Sequence, residues 1–236
     1  MPAPDAPIVH CEGVGRRFRT QSSDVAALHD VSLDVRRGTM VAIAGPSGSG
    51  KTTLLSIIGC LDRPTSGSVL INGSGVSDLS RRRRRTLRRD SISVLLPQPS
   101  DNLIHRLDGL GNLRAASRGG VVDRNAALSM LAEFDIADCA DKRVLDMSGG
   151  EQQRLALACA LARRPTLIAA DEPTSSLDRA NARRVVDAFA RAVALGATVV
   201  VATHDAELVE AATSVVRLSY GVVEDPDHAP TIVDGS

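Results

Sequence analysis

Gly45-Pro46-Ser47-Gly48-Ser49-Gly50-Lys51-Thr52-Thr53 fits the spacing G-x-x-x-x-G-K-[ST] of a phosphate-binding loop. Small residues let the backbone wrap tightly, so that successive N–H groups point inward at phosphate oxygens. Lys51 adds a positive charge for the β- and γ-phosphates of a nucleotide, and the Thr52 hydroxyl is a hard oxygen ligand suited to Mg2+. The apolar run at 39–44 ahead of the loop has strand length. Residues 53–58 behind it continue as a helix, whose N-terminal amides and dipole face the anion. The alternative is a plain glycine-serine turn, and the strand and helix placed on either side argue against it.

The 236 residues, 43% of them apolar and 24% charged, suit one globular domain with a sizeable aliphatic core. Lys+Arg and Asp+Glu both number 28, so no global charge points to nucleic acid. No apolar stretch approaches the length of a bilayer span. The N-terminus has neither the basic nor the apolar region of a signal peptide, which predicts a cytoplasmic chain. Cys11, Cys60, Cys139 and Cys159 are scattered without a C-x-x-C pair. They read as small buried hydrophobes in a reducing compartment, with no disulfide or zinc framework.

Along the chain, residues 7–14 and 31–35 alternate like strands. Between them Phe18 either packs at a strand end or stacks on a nucleobase. A strand at 68–73 is followed by arginines at 81–85, 88 and 89. Without interleaved aromatics, that run reads as a solvated helix face rather than a nucleic-acid patch. A strand at 91–96 then leads to Pro97-Gln98-Pro99. From 99 to 147 strand signals vanish, and helical spacing at 126–134 predicts a helical insertion with an irregular connection at 135–147. Ser148-Gly149-Gly150-Glu151 opens a helix to Arg163, which is either a second anion-facing N-terminus or an ordinary helix start.

A core strand at 166–170 ends in Asp171-Glu172, where α/β sheets place their ligand chemistry. One carboxylate can order Mg2+ while the other orients and deprotonates water, unless the pair merely caps the helix at 179–195. The strand at 197–202 ends in Thr203-His204-Asp205 and brings His204 to the same sheet edge. A last strand lies at 214–218, and the polar tail at 224–236 is expected to be flexible.

These residues in combination resemble the nucleotide-binding subunits of ATP-binding cassette (ABC) transporters, from about residue 8 to residue 223. The motifs are GPSGSGKTT at 45–53, Gln98 as the Q-loop, MSGGEQQR at 147–154 as the signature, and LIAADEP at 167–173 as Walker B. SSLD at 175–178 matches the D-loop and THD at 203–205 holds the switch histidine. The run at 57–67 and the SGGEQQR signature look like the subgroup of lipoprotein-release and macrolide-export systems. Four features depart from the family pattern: Met147 replaces leucine, Cys159 replaces arginine, the approach to Gln98 is one residue longer, and the helical insertion is a little short.

The resemblance implies an α/β P-loop NTPase fold: a RecA-like mixed sheet at 7–98 and 164–223, helices on both faces, and a helical subdomain inserted at 99–163. It implies that Phe18 stacks on adenine, that residues 45–53 hold the phosphates of ATP, and that Thr52, Gln98 and Asp171 reach Mg2+. Glu172 would polarise the attacking water and His204 would contact the γ-phosphate. Ser148, Gly149, Gly150 and Glu151 would serve ATP bound to the other subunit of a head-to-tail homodimer. The implied partner is an integral-membrane permease at the inner face of the cell membrane; weak periodicity and few core positions at 99–123 place its dock there, near Leu103, Ile104 and Leu107. The competing reading is a soluble ABC-type ATPase acting on DNA or ribosomes, but its usual coiled-coil insert or second cassette has no counterpart here.

Overall fold

The computed structural model describes residues 6–19, 24–117, 119 and 123–224, so the expected flexible tail beyond Glu224 lies outside the described residues. The strands form the expected mixed sheet and, beside it, a separate antiparallel sheet. In the first, β1 (Val9–Arg19) pairs antiparallel with β2 (Asp24–Val35) and β4 (Ser66–Ile71), and the short β5 (Ser74–Gly75) extends it. The second runs β10-β9-β3-β8-β7-β6, built from β3 (Met40–Ala44), β6 (Ile92–Leu95), β7 (Leu167–Asp171), β8 (Val199–Thr203), β9 (Ser214–Ser219) and β10 (Val222–Val223). All its neighbours are parallel except the β9–β10 hairpin.

Strict alternation along the central strands explains why helices cover both faces. Met40 and Ala42, Ile168 and Ala170, and Val199 and Val201 face one core. That core holds Leu155 of α5 (Gly149–Ala162) and Phe189 of α6 (Arg179–Ala194). Val41, Ile43, Ala169 and Val200 face the other, which α1 (Lys51–Ile58) and the antiparallel sheet complete. The arginine-rich helix α2 (Arg81–Ser91) buries none of its residues, as a solvated face requires.

The insertion contains α3 (Gly109–Ala116) and α4 (Arg124–Glu133), and 3-10 turns at Ala137–Cys139 and Val144–Asp146 form the irregular connection. Helix α3 went unread in the sequence because two glycines and an asparagine interrupt its periodicity. Asn112 is buried and accepts from Ile104 N at 2.7 Å, while its amide donates to the Ile104 and Asp108 carbonyls. One side chain thereby organises the loop at 104–108. Leu103 corrects the docking expectation, because it is 9% exposed and packs into the insertion's core, whereas Ile104 stays 41% exposed. A last helix, α7 (Ala206–Ala211), follows β8. Among the described residues, no helix is long and apolar enough to cross a membrane.

Candidate nucleotide site

Register in the parallel sheet puts Ala44 opposite Thr203 and Asp171 opposite Ala202. The next residues, Gly45, Glu172 and His204, therefore leave one sheet edge together. Gly45 has φ 152, and a Cβ there would stand 2.1 Å from the Leu218 carbonyl oxygen, so only glycine lets the chain turn. Gly50, at φ 103, begins α1, and no side chain caps the helix or adds an acidic group to its first turn. Its leading N–H groups are left for an anion.

The loop, Glu172 and His204 line a cavity of about 590 Å3. Pro46, Ser47, Gly48, Gly50, Thr52 and Thr53 are all on its wall. Lys51 is nearly buried there, donating to the Gly45 and Pro46 carbonyls at 2.9 and 3.0 Å and lying 3.7 Å from Glu172 Oε1. Thr52 Oγ1 donates to Asp171 Oδ1 at 3.1 Å. Burial, reinforced by the charge of Glu172, raises the Asp171 carboxyl above its ordinary range, against the opposing pull of Thr52 and Lys51.

Glu172 adopts φ 44, a left-handed conformation that costs a non-glycine residue roughly 1–3 kcal/mol. Its N–H donates to the Ala202 carbonyl at 2.8 Å. His204 Nδ1 lies 2.9 Å from Glu172 Oε2, an ion-pair distance without the alignment of a hydrogen bond, so that buried oxygen has no hydrogen-bond partner. A strained backbone and an unsatisfied carboxylate oxygen in a phosphate-loop cavity fit a site built to receive a polar ligand. The Thr52 and Asp171 oxygens likewise fit a hard divalent cation.

Other expected residues lie elsewhere. Gln98 is exposed and does not line this cavity. Strand β6 stops at Leu95, and Asn102 bonds to Leu96 N at 2.8 Å, to Leu96 O at 3.0 Å and to Gln98 O at 3.3 Å, turning the loop away from a continued strand. Phe18 is 39% exposed and also outside the cavity; the Arg16 guanidinium covers one ring face at 4.5 Å and is tied to Asp62 at 2.8 Å. Ala27 of β2, unread in the sequence, completes the wall; an alanine in an alternating strand carries no signal.

None of Ser148, Gly149, Gly150 and Glu151 lines the cavity. They start α5 through a capping box: Ser148 Oγ accepts from Glu151 N at 3.3 Å, and Glu151 Oε2 accepts from Ser148 N at 2.6 Å. Lys142 Nζ lies 3.1 Å from the same carboxylate. Burial works to raise the Glu151 carboxyl, but these bonds outweigh it and hold it at about 2. A Cβ on Gly150 would stand 2.6 Å from Asn181 Oδ1, so the helix start packs tightly on α6. The four cysteines are buried and free, with Cys11, Cys139 and Cys159 thiols pushed up to about 12, chiefly by burial.

Residues 28–175 match the family described as ABC transporter. The chain belongs to that family. It has the P-loop NTPase fold of an ATP-binding cassette. A second, shorter match, to an AAA domain described as putative AbiEii toxin, covers only residues 142–210. An uncharacterized ABC transporter ATP-binding protein of Thermotoga maritima is 41% identical over 204 residues, 85% of this chain and 86% of its own. The macrolide export ATP-binding/permease protein MacB of Syntrophobacter fumaroxidans is 37% identical over 94% of this chain. The chain spans about a third of the length of the MacB relatives it matches. In the solved dimeric, post-hydrolysis structure of the ATP-binding cassette MJ0796 bound to ADP and Pi, the similar chain is 34% identical. That match has a TM-score of 0.81 and covers 97% of this chain and 100% of the other.

Proposed function

We propose that the chain hydrolyses ATP to drive an integral-membrane permease in export or substrate release, as a head-to-tail homodimer held at the cytoplasmic face of the membrane. The observation that supports this reading is the convergence of cation, hydroxyl, carboxylate and imidazole on one cavity at three adjacent strand ends, with Asp171 bonded to that hydroxyl. Lys51 and the leading amides of α1 bind and orient the phosphates, while the exposed face of Phe18 is offered to the base. Thr52 and Asp171 would hold Mg2+, which when bound supplies Lewis-acid charge against the phosphoryl oxygens. Glu172 accepts the proton of the attacking water, and His204, on the same cavity wall, contacts the γ-phosphate. Residues 148–151 lie off this cavity, which favours their serving a site on the second copy.

Residues 7–98 and 164–223 serve as the catalytic core and 99–163 as the coupling insertion. A groove of about 720 Å3 between β6, α3 and α5, with Ile104, Ala116 and Cys159 on its walls, is the proposed seat of the permease. Glu172→Gln should keep ATP affinity and lose about 10²–10⁴ in phosphate release; near-wild-type turnover would remove Glu172 from this role. Ile104→Asp should leave ATPase activity in solution unchanged and abolish co-fractionation with the permease in membranes. Retained co-fractionation would place the docking seat outside the groove.

A further inference from the structure

We infer that helix α2 is a docking surface for the anionic phospholipid headgroups of a membrane. The helix carries seven arginines against one carboxylate, Asp90, while the whole chain is neutral. A quarter of the basic residues are therefore concentrated on one helix, and the remainder of the chain is left with an acidic balance. The arrangement divides the arginines by role. Arg88 and Arg84 donate to the Cys60 and Leu61 carbonyls and anchor the helix. Arg163, beyond the end of α5, donates to the Arg88 and Arg89 carbonyls and caps the C-terminal turn. Arg81, Arg82, Arg83 and Arg85 are exposed, and Arg89 is exposed and joined to Asp90 at 2.9 Å.

Within the helix a single carboxylate, Asp90, answers seven arginines, and it is paired with Arg89. Burial lowers the Arg88 guanidinium, and Arg84, Arg85 and Arg81 lower it further by repulsion, with Cys60 the opposing influence. Such a field attracts an external anion. Single-stranded nucleic acid is disfavoured because no aromatic ring on α2 can stack with a base. Duplex nucleic acid is disfavoured because its recognition takes cations placed along a groove, whereas these arginines are confined to one eleven-residue helix. A bilayer bearing anionic headgroups demands neither stacking nor a shaped groove; it demands several cations on one accessible face within a Debye length.

Position adds a second argument. Arg89 and Asp90, in the last turn of α2, line the same groove proposed as the permease seat. Docking there brings α2 toward the bilayer that holds the permease. This orientation rests on the docking proposal, whereas headgroup binding by the isolated chain does not, so the two can fail separately.

The experiment is flotation of the purified chain with phosphatidylcholine vesicles, with and without phosphatidylglycerol. Wild type should float only with the anionic vesicles and release as salt is raised. Replacing Arg81, Arg82 and Arg85 with glutamine should weaken binding roughly a hundredfold, about fivefold for each arginine. The triple replacement with lysine should retain binding, and ATPase activity in solution should be unchanged in both variants. Equal flotation with neutral vesicles, or unchanged binding after the glutamine replacements, would overturn the inference. So would preferential capture of duplex DNA over anionic vesicles in the same salt.

Discussion

Two helices in this molecule begin with serine and glycine, and they solve the same electrostatic problem in opposite ways. Helix α1 starts at Gly50 with no side-chain cap and no acidic group in its first turn, facing a cavity beside Lys51. Helix α5 starts at Ser148 with a complete capping box, and Glu151 sits in its first turn. The positive end of a helix dipole is neutralised in α5 by the chain's own carboxylate and is left open in α1. The glycines differ as well. In the phosphate loop Gly48 serves backbone conformation, with φ 79 and nothing within 4 Å of an added Cβ. Gly150 serves packing against Asn181. One helix start is arranged around an external anion; the other is stable by itself and presents its surface outward.

The largest expected effect tests whether these two starts belong to one site in an assembled dimer. Lys51→Ala and Ser148→Arg should each lower ATPase activity by on the order of 10²–10³, the scale for losing a preorganised charge or donor. Mixing the two variants places an intact α1 from one chain opposite an intact α5 from the other in one of the two sites. Partial recovery is expected. No recovery in demonstrated heterodimers would mean that the sites are not shared between copies.

A smaller effect separates the two kinds of glycine. Gly150→Ala puts a methyl group 2.6 Å from Asn181 Oδ1 and 2.8 Å from Asn181 Cγ, and overpacking of this kind costs about 1–3 kcal/mol. Asn181→Ala removes both atoms and should return part of that loss in a denaturation series. Gly48→Ala meets no neighbour and should cost about 1–2 kcal/mol through backbone conformation alone. No second-site removal would rescue it. Equal behaviour of the two variants would erase the distinction.

These contrasts also show what the sequence could carry. The loop from Gly45 to Thr53, the Asp171-Glu172 pair and His204 were legible because each follows an apolar strand, and parallel register then brings the strand ends together. The S-x-x-E spacing of the capping box was equally local, and it was there to be read from Ser148 and Glu151. Other features depend on partners distant in sequence. No local pattern announces that β1, β2 and β4 form their own sheet, because alternation specifies a buried face but not which sheet owns it. The burial of Leu103 and the role of Asn112 are set by where the insertion folds back. The position of Gln98 off the cavity is by contrast a local effect, with Asn102 holding the Leu96 backbone. Glu172 at φ 44 is a tertiary strain that residue type alone would argue against.

The smallest effect concerns the carboxylate that closes α5. The Glu151 carboxyl is held at about 2 from an ordinary 4.5, by the Ser148 hydrogen bonds and Lys142 against the cost of burial. Because the folded-state value is depressed, its stabilising contribution is fully present above 4.5 and is lost as pH falls through the window from 4.5 to about 2. The contribution is roughly 1–2 kcal/mol rather than the full linkage value, since Lys142 is a third exposed and water screens that pair. Glu151→Gln keeps a group able to accept from Ser148 N–H but removes the charge. Thermal midpoints of wild type and this variant should therefore differ by a constant amount at neutral pH and converge as acid protonates Glu151. Helix α1, with no acidic group in its first turn, has no counterpart to this dependence. A gap between the two proteins that stays constant through the acid window would mean that the Glu151 charge does not stabilise the start of α5. The contrast between the two helices would then rest on their glycines alone.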